Sequence, residues 1–123
     1  MSFAAAQYRA ATVETASPVQ IVVRLYDAAI RFLTQAEQAG KENKPNERNA
    51  KLRRAHAIVT ELQASLVHTH APELCSDLDR LYEYVLHTIT QSTLSNGTEQ
   101  VASAIKVMRE LRAAWAELAK RNV

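Results

Sequence analysis

Glu83 and His87 stand four residues apart, which places a carboxylate and an imidazole on one face of a helix. A dinuclear carboxylate site in a helical bundle needs two Glu-x-x-His pairs, and this sequence has none. The residues three positions after Glu61, Glu73, Glu83 and Glu110 are Ala64, Ser76, Leu86 and Ala113. Glu83 and His87 therefore read as a surface pair worth about 0.2–0.5 kcal/mol. His68 and His70 are two apart, so they point to different sides of a helix and suit a helix end. His56 stands alone. Cys75 is the single cysteine, which excludes an intrachain disulfide and fits a reducing compartment. Near a helix start its thiol could be acidified, but its place after Leu74 favours a core or edge cysteine. There is no Cys-x-x-Cys-His, no glycine-rich phosphate loop and no Gly-x-Ser-x-Gly. The sequence thus predicts no catalytic residue, no metal site and no cofactor; a cofactor-bearing bundle is the weaker alternative.

The elements that carry these residues are marked by glycine and proline. The chain has 123 residues, one domain by size, with two Gly and three Pro. Pro18, Gly40, Pro45, Pro72 and Gly97 all fall between periodic segments. They divide the chain into a lead segment, 1–16, and four candidate helices over 17–122. Ser17-Pro18-Val19-Gln20 reads as the start of the first helix: Ser17 caps, Pro18 takes the first helical position and Gln20 completes a capping box. Gly40 reads as its C-terminal cap, and Asn46 as the cap of the second helix. The expected apolar lines are Leu52, Ala55, Val59, Leu62, Leu66 on the second helix and Leu74, Leu78, Leu81, Val85, Ile89 on the third. On the fourth the line is Val101, Ala104, Met108, Leu111, Trp115, Leu118. No run alternates with period two. Long helices joined by short links predict an all-α, antiparallel up-down four-helix bundle.

The first helix is more apolar than a bundle helix needs. Its polar residues form one line, Gln20, Arg24, Asp27, Arg31 and Thr34, and nearly everything else from Val19 to Leu33 is apolar. Either this is the most central helix or something besides the other three covers it. Asp27 is read two ways, as a buried polar anchor or as an exposed member of the polar line. The lead segment is Ala-rich yet holds Phe3, Tyr8 and Val13. Tyr8 could lie back on the surplus apolar surface as a cap.

Fifteen Lys and Arg against thirteen Asp and Glu give a net charge of +2, too small to argue for nucleic-acid binding. The cations on the last helix, Lys106, Arg109, Arg112, Lys120 and Arg121, read mostly as a solvated face and as partners of the helix dipole. The first residues lack a signal-peptide pattern, and no stretch approaches the roughly 18 apolar residues of a membrane span. Surplus apolar surface points to a partner segment laid into grooves. A bundle that self-associates through the same surface is the alternative.

Several short motifs then fall in order: Tyr8, Ser17-Pro18, Leu25-Tyr26-Asp27-Ala28-Ala29, Glu61-Leu62 with Ser65-Leu66, Leu81-Tyr82-Glu83-Tyr84, and Leu111-Arg112-Ala113-Ala114-Trp115. Their order and spacing resemble the FliS family of flagellar secretion chaperones, over nearly the whole chain. The resemblance implies a cytoplasmic export chaperone, not an enzyme. Such a protein binds the disordered C-terminal segment of flagellin, prevents premature polymerisation and assists delivery to the export gate. It further implies that Tyr8 plugs an apolar pocket until the client displaces it. Ala28 stands where the family often has Gly, and Ala5 where a larger apolar residue is common. The groove residues nominated on this basis are Ile21, Leu25, Ala29, Phe32, Leu62, Leu66, Leu81 and Tyr82, with Tyr8 as plug. The expected partners are the flagellin segment and an export-gate component, with no nucleic acid or membrane, for a monomer or weak homodimer.

Overall fold

Three of the four helices begin at or beside a proline, where the missing N–H had no helical partner anyway. The computed structural model describes residues 18–67, 71–95 and 97–121. It contains α1 (Pro18–Lys41), α2 (Pro45–Ala64), α3 (Pro72–Ser95) and α4 (Glu99–Arg121), and no strand among the described residues. The lead segment with Phe3, Tyr8 and Val13, the Ser17 cap, and His68 and His70 lie outside the described residues. No described helix is long and apolar enough to cross a membrane.

The end of α1 differs from the expectation. Gly40 lies inside the helix, and Asn43 takes the left-handed conformation at φ 58°. Lys44 N–H donates to Ala39 O at 2.9 Å and Asn43 N–H to Gly40 O at 3.2 Å. These two bonds form a Schellman motif, in which Asn is the common substitute for Gly at the left-handed position. Gly40 is small for another reason. A Cβ there would run into the Cγ2 methyl of Thr98 and lie 3.4 Å from Arg48 Cδ. The end of α1 thus approaches the α3–α4 turn too closely for a side chain.

The start of α2 is a second correction. Pro45 occupies the first turn, so the cap falls on Lys44, which makes no side-chain capping bond, and Asn46 is already helical. Glu47 in the first turn favours the positive end of the helix dipole.

Each helix packs on its neighbours in chain order, and α4 closes the ring against α1. The result is an antiparallel four-helix bundle. The core is built from Tyr26, Ala29, Leu33 and Ala36 of α1 and from Leu52, Ala55, Val59 and Leu62 of α2. Leu78, Tyr82, Val85 and Ile89 of α3 and Val101, Ala104, Ile105 and Met108 of α4 complete it. Steps of three and four along each helix keep one stripe facing inward, as bundle packing requires. The additional apolar residues of α1, Val22, Leu25, Ile30 and Phe32, are half-buried against the margin of this core.

On α3 the inward stripe is not the one expected. Cys75 and Tyr82 are buried, whereas Leu74 and Leu81 are 57% and 38% exposed. Both sets share Leu78 and Val85 at helical spacing, so periodicity admits either. The Tyr82 hydroxyl decides, because it meets the Tyr26 hydroxyl in the core. Cys75 is the buried cysteine expected, its Sγ 3.5 Å from the Val67 carbonyl.

Candidate partner-binding surface

Leu74 and Leu81 are seven residues apart, two helical turns, so they share one stripe on a flank of α3, beside the buried Leu78 and Val85. Tyr84, one turn further on, is also exposed, and its hydroxyl hydrogen-bonds Ser103 Oγ on α4 at 2.6 Å. This contact sets the register of the α3–α4 pair. Because the helices run in opposite directions, Leu74 lies toward the C-terminal end of α4, where Leu118 is 40% exposed. At about 1.5 Å per residue the row from Leu74 to Tyr84 is about 15 Å long. Val67, just before α3, is exposed as well. The row is therefore a set of exposed apolar side chains on α3, toward the end of α4, interrupted by the exposed Asp77–Arg80 ion pair.

Beneath the row lies a polar lock. Trp115 Nε1–H donates to the Tyr26 hydroxyl at 3.2 Å, and the Tyr26 and Tyr82 hydroxyls bond to each other. The two tyrosine rings are tilted, 6.5 Å between centroids. Burial pushes both phenols above their ordinary value near 10; the bonds to Tyr82 and Trp115 partly offset this at Tyr26. The lock joins α1, α3 and α4 at one level. Gln63 Nε2 ties α2 to α3 by donating to Asp79 Oδ1 at 2.8 Å and Glu83 Oε1 at 2.6 Å. Arg112 Nε donates to Asp27 Oδ1 at 2.8 Å, which resolves Asp27 as an exposed residue bound to α4.

At the other end Arg48 is the largest fully buried side chain. Its Nη2 donates to the carbonyls of Ser92 and, at 2.5 Å, Gly97, and Nη1 donates to Asn49 Oδ1 at 2.8 Å. The cation thus sits on unsatisfied carbonyls around the C-terminus of α3, where the helix dipole favours positive charge. Burial pushes its guanidinium down from the ordinary arginine value.

The nominated groove residues separate into three groups. Ile21, Ala29, Leu62 and Tyr82 are buried, so here they hold the bundle together rather than line a surface. Leu25, Phe32 and Leu66 are half-buried at the core margin. Leu81 is exposed and lies on the α3 row. Sequence reasoning assigned Leu74 and Leu118 to the core and left Tyr84 and Arg48 unassigned. The signal for the row was present: α3 carries more large apolar residues than one inward stripe can hold.

The profile of the FliS flagellar protein family matches residues 1–122. The chain belongs to the FliS family. Relatives include the flagellar secretion chaperone FliS of Vibrio cholerae, 28% identical over 84% of this chain and 76% of the relative. The Bacillus subtilis protein of that name is 27% identical over 88% and 80%, and the Escherichia coli one 29% over 85% and 78%. A crystal structure of a bacterial flagellar chaperone superposes with a TM-score of 0.79, covering 94% of this chain and 96% of that one. At 14% identity that likeness speaks for the four-helix fold alone. The exposed apolar row on α3 thus lies on a flagellar secretion chaperone.

Proposed function

We propose that this FliS chain is a cytoplasmic chaperone, without catalytic activity, that binds the C-terminal segment of flagellin, holds it from premature polymerisation and assists its delivery to the export apparatus. The observation that carries the reading is the exposed row Leu74, Leu81 and Tyr84 on α3, with Leu118 also exposed toward the end of α4. A segment that folds on binding must offset its ordering cost with apolar contact, and an amphipathic helix laid on such a row supplies it. Leu81 is the nominated residue most open to the client; Leu25, Phe32 and Leu66 are the half-buried members of the nominated set, and Phe32 lies on the α1–α2 seam rather than on the α3 row. Ile21, Ala29, Leu62 and Tyr82 support these positions from inside. Tyr8 acts as the plug that the client displaces.

Seeded growth of flagellin filaments, followed by light scattering, tests this. Stoichiometric chaperone should suppress growth, and a Leu74→Asp/Leu81→Asp variant that remains folded should lose most of the suppression. Tyr8→Ala should suppress at lower concentration. Filament growth unaffected by the folded parent protein would overturn the reading.

A further inference from the structure

Phe32 of α1 has three cations gathered round its ring. Arg31 Cζ lies 5.4 Å from the ring centroid, Lys51 Nζ 5.7 Å and Arg54 Cζ 5.6 Å. Every pair of these charges therefore lies within about 11 Å, somewhat more than the Debye length of about 8 Å at physiological salt and well within the roughly 30 Å of low-salt buffer. The ion pairs among the described residues are Lys44–Glu42, Arg80–Asp77 and Arg112–Asp27, and none includes Arg31, Lys51 or Arg54. The carboxylates of the two helices lie elsewhere in their interactions. Asp27 is held by Arg112, Glu42 pairs with Lys44, and Glu47 acts on Lys44. Glu37 lines the cleft between α1 and α4, and Glu61 forms no ion pair. A ring quadrupole attracts each cation modestly but does not cancel their mutual repulsion. A bound anion would.

We infer that the α1–α2 seam around Phe32 is a docking site for an acidic segment of a partner protein, one whose carboxylates flank an apolar side chain. Charge complementarity calls for the carboxylates, which the two guanidinium forks can take pairwise. The half-buried ring offers the apolar contact between them. A nucleic acid is the poorer fit, because its phosphates repeat along a strand and call for an extended basic stripe on a chain of strongly positive charge. This chain carries only +2 overall. The seam's charges lie on α1 and α2 and act whichever segment occupies the α3 row.

The test is a ¹⁵N NMR titration of the full chain with a hexaglutamate peptide. Inorganic phosphate and a hexathymidylate of similar charge serve as the other arms. Saturable shifts should centre on Arg31, Phe32, Lys51 and Arg54. Affinity should fall severalfold between about 50 and 150 mM salt. Removing one exposed charge should weaken binding roughly two- to fivefold, the worth of an exposed ion pair, and Lys51→Ala/Arg54→Ala roughly tenfold. Arg31→Gln, a single exposed change, gives the same reading should the double variant not fold. Absent shifts at the seam, affinity unchanged in the variants, or equal binding of phosphate or hexathymidylate would overturn the proposal.

Discussion

Replacing Arg48 by Met keeps most of the buried stem and removes the guanidinium. Two backbone carbonyls, of Ser92 and Gly97, then lose a charged donor. Hydrogen bonds to charged groups contribute about 1.5–3 kcal/mol each, so the gross loss is about 3–6 kcal/mol. Two effects offset part of it. The cation no longer has to be desolvated, and the unpartnered Nε disappears. A net destabilisation of about 2–4 kcal/mol follows, or about 10 °C in melting temperature for a chain of this size. Arg48→Lys keeps the charge but not the fork, and should lose about half as much. The control is Arg53→Met, an exposed position on the same helix, expected within about 0.5 kcal/mol of the parent. Urea unfolding followed by circular dichroism measures all three, with an unchanged slope showing that only stability moved. An Arg48→Met protein within about 0.5 kcal/mol of the parent would refute the clamp.

Three further outcomes are expected. Gly40→Ala should destabilise by about 1–3 kcal/mol despite alanine's better helix propensity, because its Cβ meets the Thr98 methyl. In a Thr98→Ser background, which lacks that methyl, the same change should become neutral or stabilising in thermal melts. For the buried Tyr26–Tyr82 pair, the raised folded-state values mean that the contribution is complete below pH 10 and is lost as pH rises above it. The slope is at most about 1.4 kcal/mol per pH unit per tyrosine, and Tyr82→Phe should flatten it in urea titrations between about pH 9 and 11. Leu81→Ala should leave stability within about 1 kcal/mol but weaken client binding, whereas Leu78→Ala, in the core, should lose about 2–4 kcal/mol in urea unfolding.

The number and places of the helices were legible in the sequence because proline and period are local signals. Pro18 and Pro72 open helices where the sequence places them, whereas α2 opens at Pro45, ahead of the expected Asn46 cap. The inward stripe of α2 was legible too as far as Leu52, Ala55, Val59 and Leu62; Leu66, the last residue of the expected line, lies past the helix end at Ala64 and is half-buried. The stripe of α3 was not, because Leu74 and Leu81 compete with Cys75 and Tyr82 at the same spacing. Only a partner from another helix, the Tyr26 hydroxyl, settles that register. Gly40 and Asn43 show the same limit. A glycine near a helix end suggests a cap, but the reason for this one is Thr98, far away in sequence. Arg48 was invisible for a similar reason, since the carbonyls it binds belong to another helix and its turn.

The proposed function requires the exposed row on α3 to receive a flagellin segment that folds as it binds. Calorimetric titration of the full chain with the C-terminal segment of flagellin from the same organism tests it most directly. One-to-one binding is expected, with a heat-capacity change of about −0.15 to −0.45 kcal/mol/K if about 1,000–3,000 Å² is buried. Absence of binding by a protein shown to be folded would contradict it.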